Sequence, residues 1–395
     1  TKFGLLDKAK MHRDSKQYLE MVGLDVSPAT LVKELSIGKQ QMVEIAKALS
    51  AGARVLIMDE PTSSLSSRET ERLFDVVKDL RSKGVSIIYI SHRLGEVKEL
   101  ADRVCVLRDG ENAGNLSKEE INHGNLVRLM VGRELSQFYA RQPHPKGDVV
   151  LEVQDIVTPA WPGHKLNFSV SAGEIVGVAG LVGAGRSEML QVLFGVDPAM
   201  EGSIALSGEK LNLRSPQDAI NAGIALVPED RKQHGLVIDM SVRENISLAG
   251  LKRNQLTAGF LNRQQENSDT VEMTEKIRIK TPSGEQVVRY LSGGNQQKVV
   301  IGKWLALGPK LLLLDEPTRG IDVGAKQEIY QLMEQLASEG VAILFVSSEM
   351  EEILGLSDRT LVMHEGQIAG ELSREQLSEE SVMNLATGKL LQESA

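Results

Sequence analysis

The residues with the clearest chemical potential lie in "GLVGAGRSE", positions 180–188. Gly180, Leu181, Val182, Gly183, Ala184 and Gly185 form a loop of small and apolar residues, followed directly by Arg186 and Ser187. The apolar run "GEIVGVAG" before the loop reads as a strand and "RSEMLQVLFG" after it as a helix. At such a strand-to-helix turn the backbone N–H groups and the helix N-terminus face phosphates, and the Ser187 hydroxyl is suited to a magnesium site. The phosphate-loop pattern G-x-x-x-x-G-K-[ST] places lysine where Arg186 stands. Arginine keeps the positive charge, but its long planar guanidinium cannot set a compact ammonium between terminal phosphates. The expectation is a site that binds nucleotide and hydrolyses it poorly.

A second group of chemically capable residues occurs twice. "ELSIGKQQMVEIAKALSAGARVLIMDEPTSSL" returns as "YLSGGNQQKVVIGKWLALGPKLLLLDEPTRGI". Asp59 recurs as Asp315, Glu60 as Glu316 and Ser36 as Ser292, always 256 residues on. The same offset lays "ISHRLGEV" on "VSSEMEEI" and "ADRVCVLRDGE" on "SDRTLVMHEGQ". A gapless register of that length means two copies of one fold. Asp59 and Asp315, each ending an apolar strand, suit a direct or water-mediated magnesium ligand, and the adjacent Glu60 and Glu316 suit polarisation of an attacking water. Ser36 and Ser292 stand at helix N-caps. Gly38, Gly293 and Gly294 beside them leave bare helix tips that can approach a γ-phosphate closely.

The elements that must position these residues alternate between strand and helix. "RVLIMDE", "KLLLLDE", "GVSIIYIS" and "GVAILFVS" are short, continuously apolar runs, the pattern of strands buried on both faces of a parallel sheet. "SRETERLFDVVKDLRSKG" is a helix closed by Gly84, and "RVCVLRDGENAG" a hairpin turning at Asp-Gly. Cys105, the one cysteine, is expected to be a buried small hydrophobe in that hairpin, and it excludes a disulfide framework. The net charge of −9 argues against a binder of duplex nucleic acid. No apolar run is long enough to cross a bilayer and no secretory signal opens the sequence. A cytoplasmic protein, peripheral to a membrane, is expected. Projecting the offset backwards puts the first copy's phosphate loop before Thr1, so the first domain is expected to lack its front.

Strand-end Asp-Glu, "LSGG-Q" and the phosphate loop together resemble the nucleotide-binding domains of ABC ATPases. Across essentially the whole chain, "GLVGAGRSE", "VPEDRKQHGL", "SVRENI", "LSGGNQQK" and "DEPTRGIDVGAK" resemble the tandem ATPases of bacterial monosaccharide importers, of the ribose, galactose, arabinose and xylose type. The resemblance implies an α/β fold of two P-loop NTPase domains, the first incomplete. The division expected is 1–117 for the back of the first domain, 118–148 for a linker, 149–370 for the second domain and 371–395 for a tail. It further implies ATP and Mg2+, two membrane-spanning permease subunits, a separate sugar-binding protein outside, and a place on the cytoplasmic face of the membrane.

Carried over residue by residue, one site uses Arg186, Ser187, Asp315 and Glu316 with the opposing Ser36 and Gly38. The other uses Asp59, Glu60 and His92 with the opposing Ser292, Gly293 and Gly294 of "LSGGNQQ", a segment that also contributes Gln296. His92 matches the family's switch histidine, while the residue 256 positions on is Ser348. Glu229 stands where a glutamine usually senses magnesium and permease, and Trp161 where an aromatic lies under adenine. Arg186, Glu229 and Ser348 are three departures in one site, so the competent site is expected to rest on Glu60 and His92. Two other readings stay open: a non-hydrolysing nucleotide-binding fragment, and a soluble ABC ATPase unrelated to transport.

Overall fold

A computed structural model describes residues 6–62, 65, 67–91, 93–108, 110–131, 146–256 and 259–388. The chain divides into two compact units, residues 1–135 and 136–395.

In the first unit, helices α1 (Lys8–Met21) and α2 (Ile37–Ser50) precede the parallel strands β1 (Val55–Asp59) and β2 (Ser86–Ile90), with α3 (Ser67–Ser82) crossing between them. Gly84, at φ 84°, takes the left-handed turn that ends the crossover. Then come α4 (Leu94–Leu100), the antiparallel hairpin of β3 (Arg103–Arg108) and β4 (Glu111–Ser117), and α5 (His123–Val131). Apolar residues at helical spacing bring Met42, Ile45 and Leu49 of α2 and Leu73, Val77 and Leu80 of α3 onto Leu56 and Met58 of β1. A smaller core of Val106, Leu116, Ile121 and Leu126 joins the hairpin to α5.

Two expectations change here. Residues 118–131, read as the start of the linker, fold onto the hairpin through Ile121 and Leu126. Cys105 is exposed rather than buried, because nothing among the described residues covers its face of the hairpin.

The second unit opens with β5 (Val149–Thr158), β6 (Trp161–Ser171), β7 (Ile175–Gly180) and α6 (Arg186–Leu193). It continues through β8 (Glu201–Leu206), β9 (Glu209–Leu211), α7 (Pro216–Ala222) and β10 (Ile224–Val227). Helices α8 (Val242–Ser247), α9 (Arg263–Lys276) and α10 (Gly293–Leu305) follow, and then β11 (Leu311–Asp315), α11 (Val323–Ser338) and β12 (Ala342–Val346). Helix α12 (Met350–Leu356), β13 (Arg359–His364), β14 (Gln367–Ser373) and α13 (Glu379–Ala386) complete it. Six strands form one sheet in the order β10-β11-β12-β7-β13-β14, parallel except for the last pair. A separate antiparallel sheet runs β6-β5-β8-β9. Strands β7 and β12, and β11 up to its terminal Asp315, are apolar and lie inside, so the loops leaving their C-terminal ends converge on one edge of the sheet. Residues 371–373 finish β14, and α13 buries Val382, Leu385 and Ala386, so much of the stretch read as a tail is folded.

Candidate nucleotide site

Three glycines shape the loop between β7 and α6. Gly180, Gly183 and Gly185 all have positive φ, at 150°, 81° and 98°. At Gly183 space is open, so conformation alone requires glycine there. At Gly185 a Cβ would come within 3.1 Å of Trp161 Nε1, so glycine also makes room for the indole. Trp161 thus sits against the helix-capping residue of the phosphate loop. Val182 is almost fully exposed, and Leu181 is exposed as well. The Ala184 carbonyl is taken by the N–H of Gly366 at 2.9 Å, which leaves the loop's other face to a ligand.

Beneath the loop lie the two strand-end acids. Asp315 is buried, and burial pushes its carboxyl above the usual range, opposed by a hydrogen bond from Ser187 and by the Arg186 charge. Its Oδ1 is buried with no hydrogen-bond partner. An orphaned carboxylate oxygen beside a serine hydroxyl is the donor set that a hard divalent cation completes. Burial raises the Glu316 carboxyl too, opposed by the Ser348 N–H and hydroxyl and by Arg186. Ser348 Oγ donates to Glu316 Oε2 at 3.0 Å.

Arg186 does not point out of the loop. It is 8% exposed, its Nη1 donates to the Ser347 carbonyl at 3.0 Å, and its Nη2 lies 3.7 Å from Glu316 Oε1. The guanidinium therefore lies against the Glu316 carboxylate and partly offsets the effect of its burial. Glu316 itself sits at a strained φ of 46°, pinned by its N–H to the Val346 carbonyl at 3.0 Å.

Ser292 caps α10 by accepting from the Asn295 N–H, with the Asn295 side-chain amide donating to it at 2.9 Å. Gly293 and Gly294 form the first turn, with Gly294 tight against Ala325. Gln296 lies in the same helix, two residues after Gly294. It is buried, and its Nε2 donates to the Val288 carbonyl at 3.1 Å, so its amide ties the helix to the turn before it. Glu229 is ion-paired with Arg319 of the loop after β11.

A family model described as "ABC transporter" matches residues 3–63 and 164–319. A xylose import ATP-binding protein of Photobacterium profundum is 48% identical, over 97% of this chain and 77% of its own length. A ribose import ATP-binding protein of Bacillus licheniformis is 49% identical, over 98% of this chain and 78% of its own. The chain belongs to the ABC transporter family. Solved structures agree on the fold: a nucleotide-free ABC-transporter cassette matches with a TM-score of 0.52 at 21% identity, covering 60% of this chain and 98% of the cassette. A cassette in its ADP conformation gives 0.52 at 22%, covering 61% and 99%.

The first ABC unit repeats the local geometry on its own. Asp59 ends β1, and Glu60 holds φ 44° with its N–H on the Ile90 carbonyl at 2.9 Å. Ser36 caps α2 by accepting from Lys39, and Gly38 is buried against the Glu69 side chain. His92 lies outside the described residues.

Two further groups escaped the sequence reading. Arg231 donates to the carbonyls of Arg319 and Gly320 at 2.8 and 3.0 Å and packs against Gly293, so it joins the 229–231 segment, the loop after β11 and the α10 tip. Glu96 and Glu352 are buried acids bonded to the threonines of the two "DEPT" segments. Their repetition at the 256-residue offset was the available signal.

Proposed function

We propose that the chain is the ATP-binding subunit that energises import of a monosaccharide through a membrane ABC permease. The names of its relatives, both sugar import proteins, support that reading. So does the phosphate loop backed by buried strand-end acids. ATP would lie with its adenine on Trp161 and its phosphates along residues 180–187. Ser187 and Asp315 would hold Mg2+ in the second unit and Asp59 its counterpart in the first. The ion, when bound, neutralises charge on the terminal phosphates. Ser36, Gly38, Ser292, Gly293 and Gly294 offer helix tips to γ-phosphates. Among the described residues no helix is long and apolar enough to cross a membrane. Two permease subunits would provide the channel, with a sugar-binding protein on the far side, and this subunit would sit on the cytoplasmic face.

The two nucleotide sites are unequal in this reading. The observation that carries it is the pairing of Arg186 with Glu316, which occupies the base of the second unit. Ser348 in place of histidine, and Glu229 tied to Arg319, point the same way. Glu60 and His92 then carry hydrolysis. In the full-length subunit assembled with its permease, Glu60→Gln should cut sugar-driven phosphate release by about a hundredfold or more, and Glu316→Gln should leave most of it. The opposite result would reverse the assignment.

A further inference from the structure

Glu96 and Glu352 bind the same set of partners, yet half of those partners arrive from opposite sides. In the first unit Glu96 Oε1 accepts from Thr62 Oγ1 at 2.6 Å, and Oε2 accepts from Ser91 Oγ and from the Tyr89 hydroxyl, both at 2.9 Å. Arg93 Nη1 stands 3.5 Å away. In the second unit Glu352 Oε1 accepts from Thr318 Oγ1 and the Tyr330 hydroxyl, both at 2.6 Å, and Oε2 accepts from Ser347 Oγ at 2.7 Å. Lys326 Nζ stands 3.5 Å away.

Threonine and serine occupy corresponding positions, but the tyrosine and the cation do not. Tyr89 lies on β2, and its counterpart on β12 is Phe345; Tyr330 lies on α11, and its counterpart on α3 is Phe74. Likewise Arg93 follows β2 where the second copy has Glu349, whereas Lys326 is on α11 where the first copy has Thr70. One hydroxyl and one cation have moved from the strand side to the helix side, and the number of donors on the carboxylate is unchanged. A group that merely filled space would not require a Tyr-to-Phe exchange at one position to be matched by Phe-to-Tyr at another. A buried carboxylate does require it, since an unpaired charge there is costly.

We infer that Glu96 and Glu352 are positioning residues, each locking the loop that carries the strand-end glutamate against the loop that carries the switch residue. Thr62 and Thr318 lie two residues after Glu60 and Glu316, and Ser91 and Ser347 immediately precede His92 and Ser348. One carboxylate therefore sets the spacing of both reactive loops. In the second unit the link continues outward, because Ser347 also supplies the carbonyl that holds Arg186 and Ser348 donates to Glu316. The role of Glu96 rests on the reading of Glu60 as the base of the competent site.

Steady-state ATPase of the full-length subunit in its assembled transporter tests it, with Glu96→Gln, Tyr89→Phe and the double exchange Phe74→Tyr with Tyr89→Phe. Glu96→Gln and Tyr89→Phe should each lower kcat about tenfold, the rate equivalent of one hydrogen bond, while KM for ATP stays within about twofold. The double exchange reproduces the tyrosine placement of the second unit, leaves Arg93 where it is, and should restore kcat. Tyr89→Phe removes a single oxygen, so the test survives even if Glu96→Gln fails to fold. A purely structural role would lower the melting temperature with no kcat loss in the folded protein, and the double exchange would then change the melting temperature alone. Glu60→Gln is the control. If it leaves hydrolysis intact, the base assignment falls and takes the role of Glu96 with it. If it abolishes hydrolysis while Tyr89→Phe and Glu96→Gln keep full kcat, only the positioning role falls.

Discussion

In the second unit Leu311, Leu313 and Leu344 are 0% exposed and Val346 1%, whereas Val55, Ile57, Ile88 and Ile90 at the same places in the first unit are 46–65% exposed. The sequences are nearly interchangeable, so composition does not explain the contrast. Strands β11 and β12 lie between β10 and β7 and beneath helices, while β1 and β2 pair among the described residues only with each other. Cys105 repeats the lesson: it is exposed on β3, whereas Leu361, its counterpart on β13, is buried between β7 and β14. A continuously apolar strand announces that it needs two covered faces. Whether it obtains them depends on residues elsewhere.

The largest test of that contrast separates the units. Residues 136–395 expressed alone should unfold in one cooperative transition, whereas residues 1–135 alone should bind a hydrophobic dye and aggregate. A soluble, dye-silent first unit would break the comparison. A smaller effect comes from single truncations in the intact chain. Leu313→Ala should cost the second unit about 2–5 kcal/mol in urea unfolding, and the corresponding Ile57→Ala under about 0.5 kcal/mol; equal losses would show that β1 is packed as tightly as β11.

The smallest effect concerns Lys303, which recurs from Lys47 at the same helix position. Lys303 is buried, donates to the Gly235 carbonyl at 2.7 Å, and burial pushes its pKa down to about 8. Lys47 is exposed. Between pH 8 and the ordinary lysine value near 10.5 the unfolded chain binds more protons than the folded one, so this group's contribution to stability rises with pH across that window and is flat below it. Lys303→Met should remove that rise, seen as the wild-type minus variant difference in melting temperature from pH 7.5 to 10.

How much of this was legible followed from how far apart the participants lie in the chain. The phosphate loop, the Asp-Glu strand ends and the capping serines are contiguous, and local backbone preference suffices to place them. Arg186 was legible as a departure but not as a contact, because its carbonyl partner is 161 residues away. Likewise the partner of the Gln296 amide, the Val288 carbonyl, was not legible from the motif, because helix phase decides which way an amide points. The charged, proline-bearing stretch near residue 145 drew the linker too far forward, over Ile121 and Leu126, which pack in one core with the hairpin residues Val106 and Leu116. The exchanged tyrosines were invisible in either copy by itself.

The bend at Glu60 and Glu316 has a consequence for how such a protein can improve. A left-handed backbone costs any residue with a side chain about 1–3 kcal/mol, and glycine would occupy it freely. The most economical route to a tougher molecule therefore runs through two strand-end positions, one of which, Glu60, is the proposed base. On that reading, selection for heat resistance and selection for turnover would pull in opposite directions at Glu60 and not at Glu316.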